Sequence, residues 1–84
     1  MTLAMYVLDV PEFAELVWLA QKAGMQLRRT GDYLELSSAD RELVLHRDGS
    51  GIRTAVWHAA LTGGLDGRIV SFTAETIHLE EAAR

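Results

Sequence analysis

Cysteine is missing from all 84 residues, which excludes disulfides and thiolate-bound zinc together. A chain this short buries only roughly 60–65% of the surface that its unfolded form exposes. Small domains often compensate with a disulfide, a metal or a second subunit. With the first route closed, a well-made core or an oligomer is left.

Proline occurs once, at Pro11, and aromatic residues make up only 7% of the chain. Basic residues are also few: eight Lys and Arg face twelve Asp and Glu, for a formal net charge of −4. The arginines are scattered among carboxylates, whereas nucleic-acid binding needs a basic stripe to neutralise phosphates. No nucleic-acid partner is therefore expected. Long hydrophobic runs are lacking too. The stretch Leu16-Val17-Trp18-Leu19-Ala20 falls far short of the roughly 20 residues that span a bilayer, so no membrane partner is expected. Met1 to Met5 has no basic segment ahead of its apolar run, and that run ends at Asp9. This does not resemble a secretory leader, and the expectation is a cytoplasmic protein.

What is abundant is apolar residue, 49% of the chain. That is much for so small a body and points to self-association, with a homodimer as the simplest form. Leu3 to Leu8 suits a first strand. Asp9-Val10-Pro11-Glu12 reads as a helix start, with Asp9 and Glu12 in the capping-box arrangement and Pro11 in the first turn, where its missing N–H is not needed. The helix is expected to run to Ala23 and stop at Gly24. Phe13, Leu16, Val17, Ala20 and Gly24 recur at helical spacing as its buried stripe. Trp18 lies about 140° from the centre of that stripe, at best half-covered within one chain. Tryptophan is enriched at interface hot spots, so Trp18 and its neighbour Leu19 are the expected interface.

The remainder alternates and turns like a meander. Met25 to Arg29 and Tyr33 to Ser37 flank the turn Thr30-Gly31-Asp32. Arg41 to Arg47 carries Leu43 and Leu45 on one face, and Asp48-Gly49-Ser50-Gly51 is a strong turn. Ile52 to Leu61 is read as a strand because hairpin signals flank it. The competing reading is a helix capped by Ser50 and stopped by Gly63-Gly64. Arg68 to Thr73 is a clear strand, Thr76 to Glu80 a final edge strand, and residues 80–84 a frayed tail. The expected architecture is thus a single α+β domain over residues 1–84. In it one amphipathic helix packs on a four- to six-stranded, mostly antiparallel sheet, in the order β-α-β-β-β-β-β.

Candidate chemistry is thin. His46, His58 and His78 match no short metal-ligand spacing, and no metal or cofactor is expected. Imidazole changes charge near neutral pH and suits acid–base work, which makes His58, His46 and a neighbouring Glu35 the candidate catalytic groups. Tyr33 and Trp57 are the candidate ligand-binding aromatics. If Ile52 to Leu61 is a strand, however, Trp57 and His58 point to opposite faces, with Trp57 in the core and His58 at the surface. Thr62-Gly63-Gly64-Leu65-Asp66-Gly67 lacks the lysine and spacing of a phosphate loop.

Leu3 to Arg47 follows a strand–helix–three-strand order that resembles the vicinal oxygen chelate module. The metal-ligand histidine or glutamate that the resemblance implies is absent from Leu3 to Leu8. The helix followed by a meander is also similar to cystatin-like small-ligand folds. Both likenesses are topological, carry no motif, and so assign no family or function. The leading expectation is a non-enzymatic, self-associating module that binds a protein partner or a small ligand. The alternatives are an isomerase- or lyase-type enzyme with a histidine base, and an accessory subunit of a larger enzyme.

Overall fold

The computed structural model describes residues 3–82, and its elements follow the phase of the apolar residues. In β1 (Leu3–Leu8) Leu3, Met5 and Val7 are buried, while Tyr6 and Leu8 alternate to the other side. A 3-10 turn (Pro11–Phe13) leads into α1 (Ala14–Lys22), which buries Leu16, Val17 and Ala20 and packs on the next two strands. The helix ends in a Schellman arrangement, with Gly24 at φ +98°. The Gly24 N–H donates to Gln21 O and the Met25 N–H to Ala20 O, each at 3.0 Å, so otherwise orphaned carbonyls are satisfied.

The start of the helix differs from the capping-box expectation. Val10 occupies the capping position in extended conformation, and no side chain caps it. Asp9 instead pairs with Arg29 at 2.7 Å, and its N–H donates to Asp32 O. The carboxylate is engaged by β2, and the tight first turn after Pro11 places Asp9 outside capping reach.

The strands β2 (Gln26–Thr30) and β3 (Tyr33–Ser38) form a hairpin whose loop is only Gly31-Asp32, with Thr30 opposite Tyr33. Gly31 has φ +63° and Asp32 a negative φ, the φ pattern of a II′ hairpin turn. Beyond Ser38 the chain enters β4 (Glu42–His46), where Leu43 and Leu45 are buried. After the glycine turn comes α2 (Thr54–His58), then β5 (Leu65–Asp66), β6 (Arg68–Phe72) and β7 (Thr76–Glu80).

The α+β class is as expected, but the strands divide into two antiparallel sheets. One has the order β2-β3-β1-β5 and the other β4-β7-β6. The division falls at Gly67, between β5, which pairs with β1, and β6, which pairs with β7. A β-carbon at Gly67 would sit 2.5 Å from Leu3 Cδ1 and 2.9 Å from Glu80 O. Strand 7 is consequently the centre of its sheet, not an edge, because both β4 and β6 pair with it. Glu80 is its last residue, and the Glu81 N–H donates to Arg41 O, so the expected tail is engaged at its start. Residues 83–84 of that tail lie outside the described residues. Because β4 pairs with β7, Leu3 to Arg47 does not close into one sheet of its own.

Ile52 to Leu61, expected as a strand, contains α2 instead. Its apolar residues explain the difference: Trp57 and Ala60 are buried, with Val56 and Leu61 partly so against the same core. Those positions share one side of a helix but fall on both faces of a strand. Ser50 does not cap α2. Its hydroxyl donates to Arg47 O and accepts the Ile52 N–H, closing the preceding turn. Arg47 ties the same turn to the β6–β7 connection, donating to Ala74 O at 2.6 Å and to Ile52 O at 3.2 Å.

Trp57 is the largest of the fully buried side chains, and its indole N–H donates to Thr73 O at 2.8 Å. It thereby joins α2 to the second sheet through both packing and polarity. Trp57→Ala is expected to lose about 3–5 kcal/mol of unfolding free energy through the cavity it leaves. Trp57→Phe keeps most of the volume and should lose less, about 1–3 kcal/mol, for the smaller ring and the lost hydrogen bond to Thr73 O. Urea denaturation followed by circular dichroism measures both; equal losses would refute the packing contribution, and a Trp57→Phe variant as stable as the parent would refute the polar one.

Candidate functional site

The outer face of the first sheet carries a row that crosses three strands in register. Arg28 on β2 stands opposite Glu35 on β3, and Glu35 opposite Tyr6 on β1. The guanidinium grips the carboxylate twice, from Nε to Oε1 at 3.1 Å and from Nη2 to Oε2 at 3.2 Å. The Tyr6 hydroxyl donates to Oε2 at 3.0 Å. Glu35, with a side chain only 16% exposed, is therefore fully engaged.

The neighbouring row is Gln26, Ser37, Ala4 and Asp66, again set by strand register. The methyl of Ala4 leaves room between larger neighbours, and the two rows line a hollow of about 480 Å³. The phenol proton of Tyr6 is committed to Glu35, so its oxygen faces the hollow as an acceptor. Asp66 makes no ion pair among the described residues. Glu35, Asp66 and Arg28 together leave one net negative charge at the site. A smaller cleft of about 220 Å³ lies between Pro11 and Val56. It is less suited to a ligand, because the Glu15 carboxylate lies over its wall at Gly51.

The residues singled out from sequence are dispersed. Tyr33 is exposed at the hairpin end, with its ring beside Gly63. Trp57 is wholly buried and on a helix, so it lines no hollow with Tyr33. His58 stacks on Phe72 with ring centroids 5.9 Å apart and 17° between planes. His46 sits at the end of β4 opposite Thr76. Neither is the partner of Glu35, which accepts its hydrogen bonds from Tyr6 and Arg28. The histidine–carboxylate pair that does form is His78 with Glu42, at 2.5 Å on the outer face of the second sheet. Among the described residues no group of three His, Cys, Asp or Glu is placed to hold a metal ion. Trp18 is 54% exposed, with Lys22 Nζ 4.4 Å from its ring centroid, whereas Leu19 is half-buried against the core.

Tyr6, Gln26, Arg28, Ser37 and Asp66 were not identified from sequence. The signal for part of the set is present: a two-residue Gly31-Asp32 loop pairs Arg28 with Glu35. Asp66 reaches the site only through the pairing of β5 with β1, which no local pattern announces. No described helix is long and apolar enough to cross a membrane. Comparisons with protein-family models, with curated proteins and with solved structures find no match for this chain.

The hydrogen bond to Glu35 raises the Tyr6 pKa above the ordinary value of 10.0; burial and the charges of Glu35 and Asp66 act in the same direction, against Arg28. The neutral phenol is the donor, so this contribution to stability is complete at neutral pH. It is lost as pH rises through the folded-state value. Alkaline difference absorbance should show one late tyrosine, absent in Tyr6→Phe and shifted to lower pH in Glu35→Gln. Tyr6→Phe should reduce stability by only about 1 kcal/mol, because the bond is partly solvated. A titration unchanged by Glu35→Gln would refute the pairing.

Proposed function

We propose that this chain is a non-catalytic binding module whose ligand surface is the hollow over Ala4 and Tyr6. One observation carries the reading: Glu35 is neutralised by its own neighbours, while Asp66 reaches the same hollow with no ion-pair partner among the described residues. An anionic ligand gains little there, since Arg28 is already spent on Glu35 in a two-point pair. A ligand that donates hydrogen bonds meets Asp66, the Tyr6 oxygen and the side-chain oxygens of Ser37 and Gln26. The fitting class is a small organic molecule with an ammonium group. The chain's net charge of −4 favours its approach.

A catalytic role draws less support. The engaged state of Glu35 removes it as a free base, and His46 and His58 lie outside the hollow. A general base must reach the proton it abstracts by hydrogen bond or through one water.

Putrescine is a suitable probe, with glucose as a neutral control. Saturable amide shifts in two-dimensional NMR are expected at Ala4, Tyr6, Ser37 and Asp66, and their loss in Asp66→Asn. Shifts that never saturate, or that survive Asp66→Asn, would remove the basis of this reading.

A further inference from the structure

Four strand edges of the two sheets are unpaired among the described residues: β2 and β5 in one, β4 and β6 in the other. An open edge is a template for another strand unless charge, brevity or distortion blunts it. Strand 2 carries Arg28 and Arg29 side by side, so antiparallel pairing of two copies brings like charges face to face. Strand 5 is two residues long. Strand 4 buries its core-side Leu43 and Leu45, and its exposed Val44 lies on the outer face opposite His78.

Strand 6 differs from all three. Every residue from Arg68 to Ser71 is exposed, including Ile69 at 48% and Val70 at 45%. Ile69 stands opposite the fully buried Leu79, so it belongs to the core side of the sheet, yet half of it remains open. The core is uncovered at this rim. The one charge of the strand, Arg68, pairs with Glu80 on β7. No acidic residue, lysine or proline guards the edge.

We infer that a second copy of this chain docks on the free edge of β6, strand against strand and antiparallel about a two-fold axis near Val70. That symmetry sets the two Arg68 side chains at opposite ends of the ribbon, so they do not confront each other. With the axis between Val70 and Ser71 it also sets Ile69 of one copy opposite Phe72 of the other, and the irregularity between Ile69 and Ser71 puts both on the core side of the sheet. The pairing covers Ile69 from both sides and joins two three-stranded sheets into one of six. A two-fold contact of this kind closes on itself and makes a dimer, not a fibre. Five residues a side is less than a standard interface, so assembly depends on concentration. This inference does not rest on the ligand hollow, which lies on the other sheet.

Sedimentation equilibrium over a range from low to high micromolar tests it. The average mass should climb from the monomer's 9.3 kDa toward twice that value and stop there. Val70→Lys should hold the mass at the monomer value, and so should Ser71→Lys, which replaces an exposed polar side chain and disturbs no core. Far-ultraviolet circular dichroism checks that both variants keep the fold. Trp18→Ser should leave the dimer intact. A monomer at every concentration, a mass rising past two copies, or a dimer lost in Trp18→Ser but kept in both lysine variants would overturn the inference.

Discussion

Between β5 and β6 the chain leaves one sheet and enters the other, and at Gly67 it runs between the Leu3 side chain and the Glu80 backbone with no room for a β-carbon. The strand before this corner pairs with β1; the strand after it pairs with β7. A side chain here would collide with Leu3 on one side and the Glu80 carbonyl on the other. The two sheets can share one core only because this position is bare. Leu3, Met5, Val7, Leu34 and Leu36 come from the first sheet, and Leu43, Leu45, Ile77 and Leu79 from the second. They meet with α1 and Trp57 in a single buried cluster.

This arrangement answers the surplus of apolar residue. A helix as narrow as α1 shields only part of it, and the second sheet takes most of the rest. Trp57 fills the space where α2 meets that sheet, and the carbonyl of the exposed Thr73 gives its buried N–H the partner it would otherwise lack. What stays uncovered lies at margins and outer faces, most of all Trp18 on the helix and Ile69 and Val70 on β6, with Leu8, Leu27 and Val44 less so. The polar hollow belongs to the opposite side of the first sheet. There alternation along β1, β2 and β3 sends Tyr6, Arg28 and Glu35 outward in one row. Core and site are thus two faces of the same strands, and register decides both.

The extent to which this could be read from sequence follows the range of the interactions. The stripe of Leu16, Val17 and Ala20, the stop at Gly24 and the exposure of Trp18 follow from helical periodicity. The strands around Gly31-Asp32 and the segments Arg68 to Thr73 and Thr76 to Glu80 were legible from alternation and turns. The Ile52 to Leu61 segment was misread because Ala55, Trp57, Ala59 and Leu61 alternate as well as Val56, Trp57, Ala60 and Leu61 repeat helically. The capping role expected of Asp9 failed because Arg29, across the hairpin, competes for its carboxylate. Of the site, Glu35 was named, but beside histidines that do not approach it.

Composition, periodicity and turn residues were enough for the α+β class, the helix and its faces, the hairpin loop, and the exclusion of disulfides and thiolate zinc. These depend on residues within a few positions of one another. The partition into two sheets, the central place of β7, the burial of Trp57 and the meeting of Asp66 with Tyr6 and Glu35 were decided by tertiary structure. Each needs segments distant in the chain to pair, and β-strand pairing is set by which edges and faces remain to be covered once the chain has folded back, not by the local pattern of any one strand.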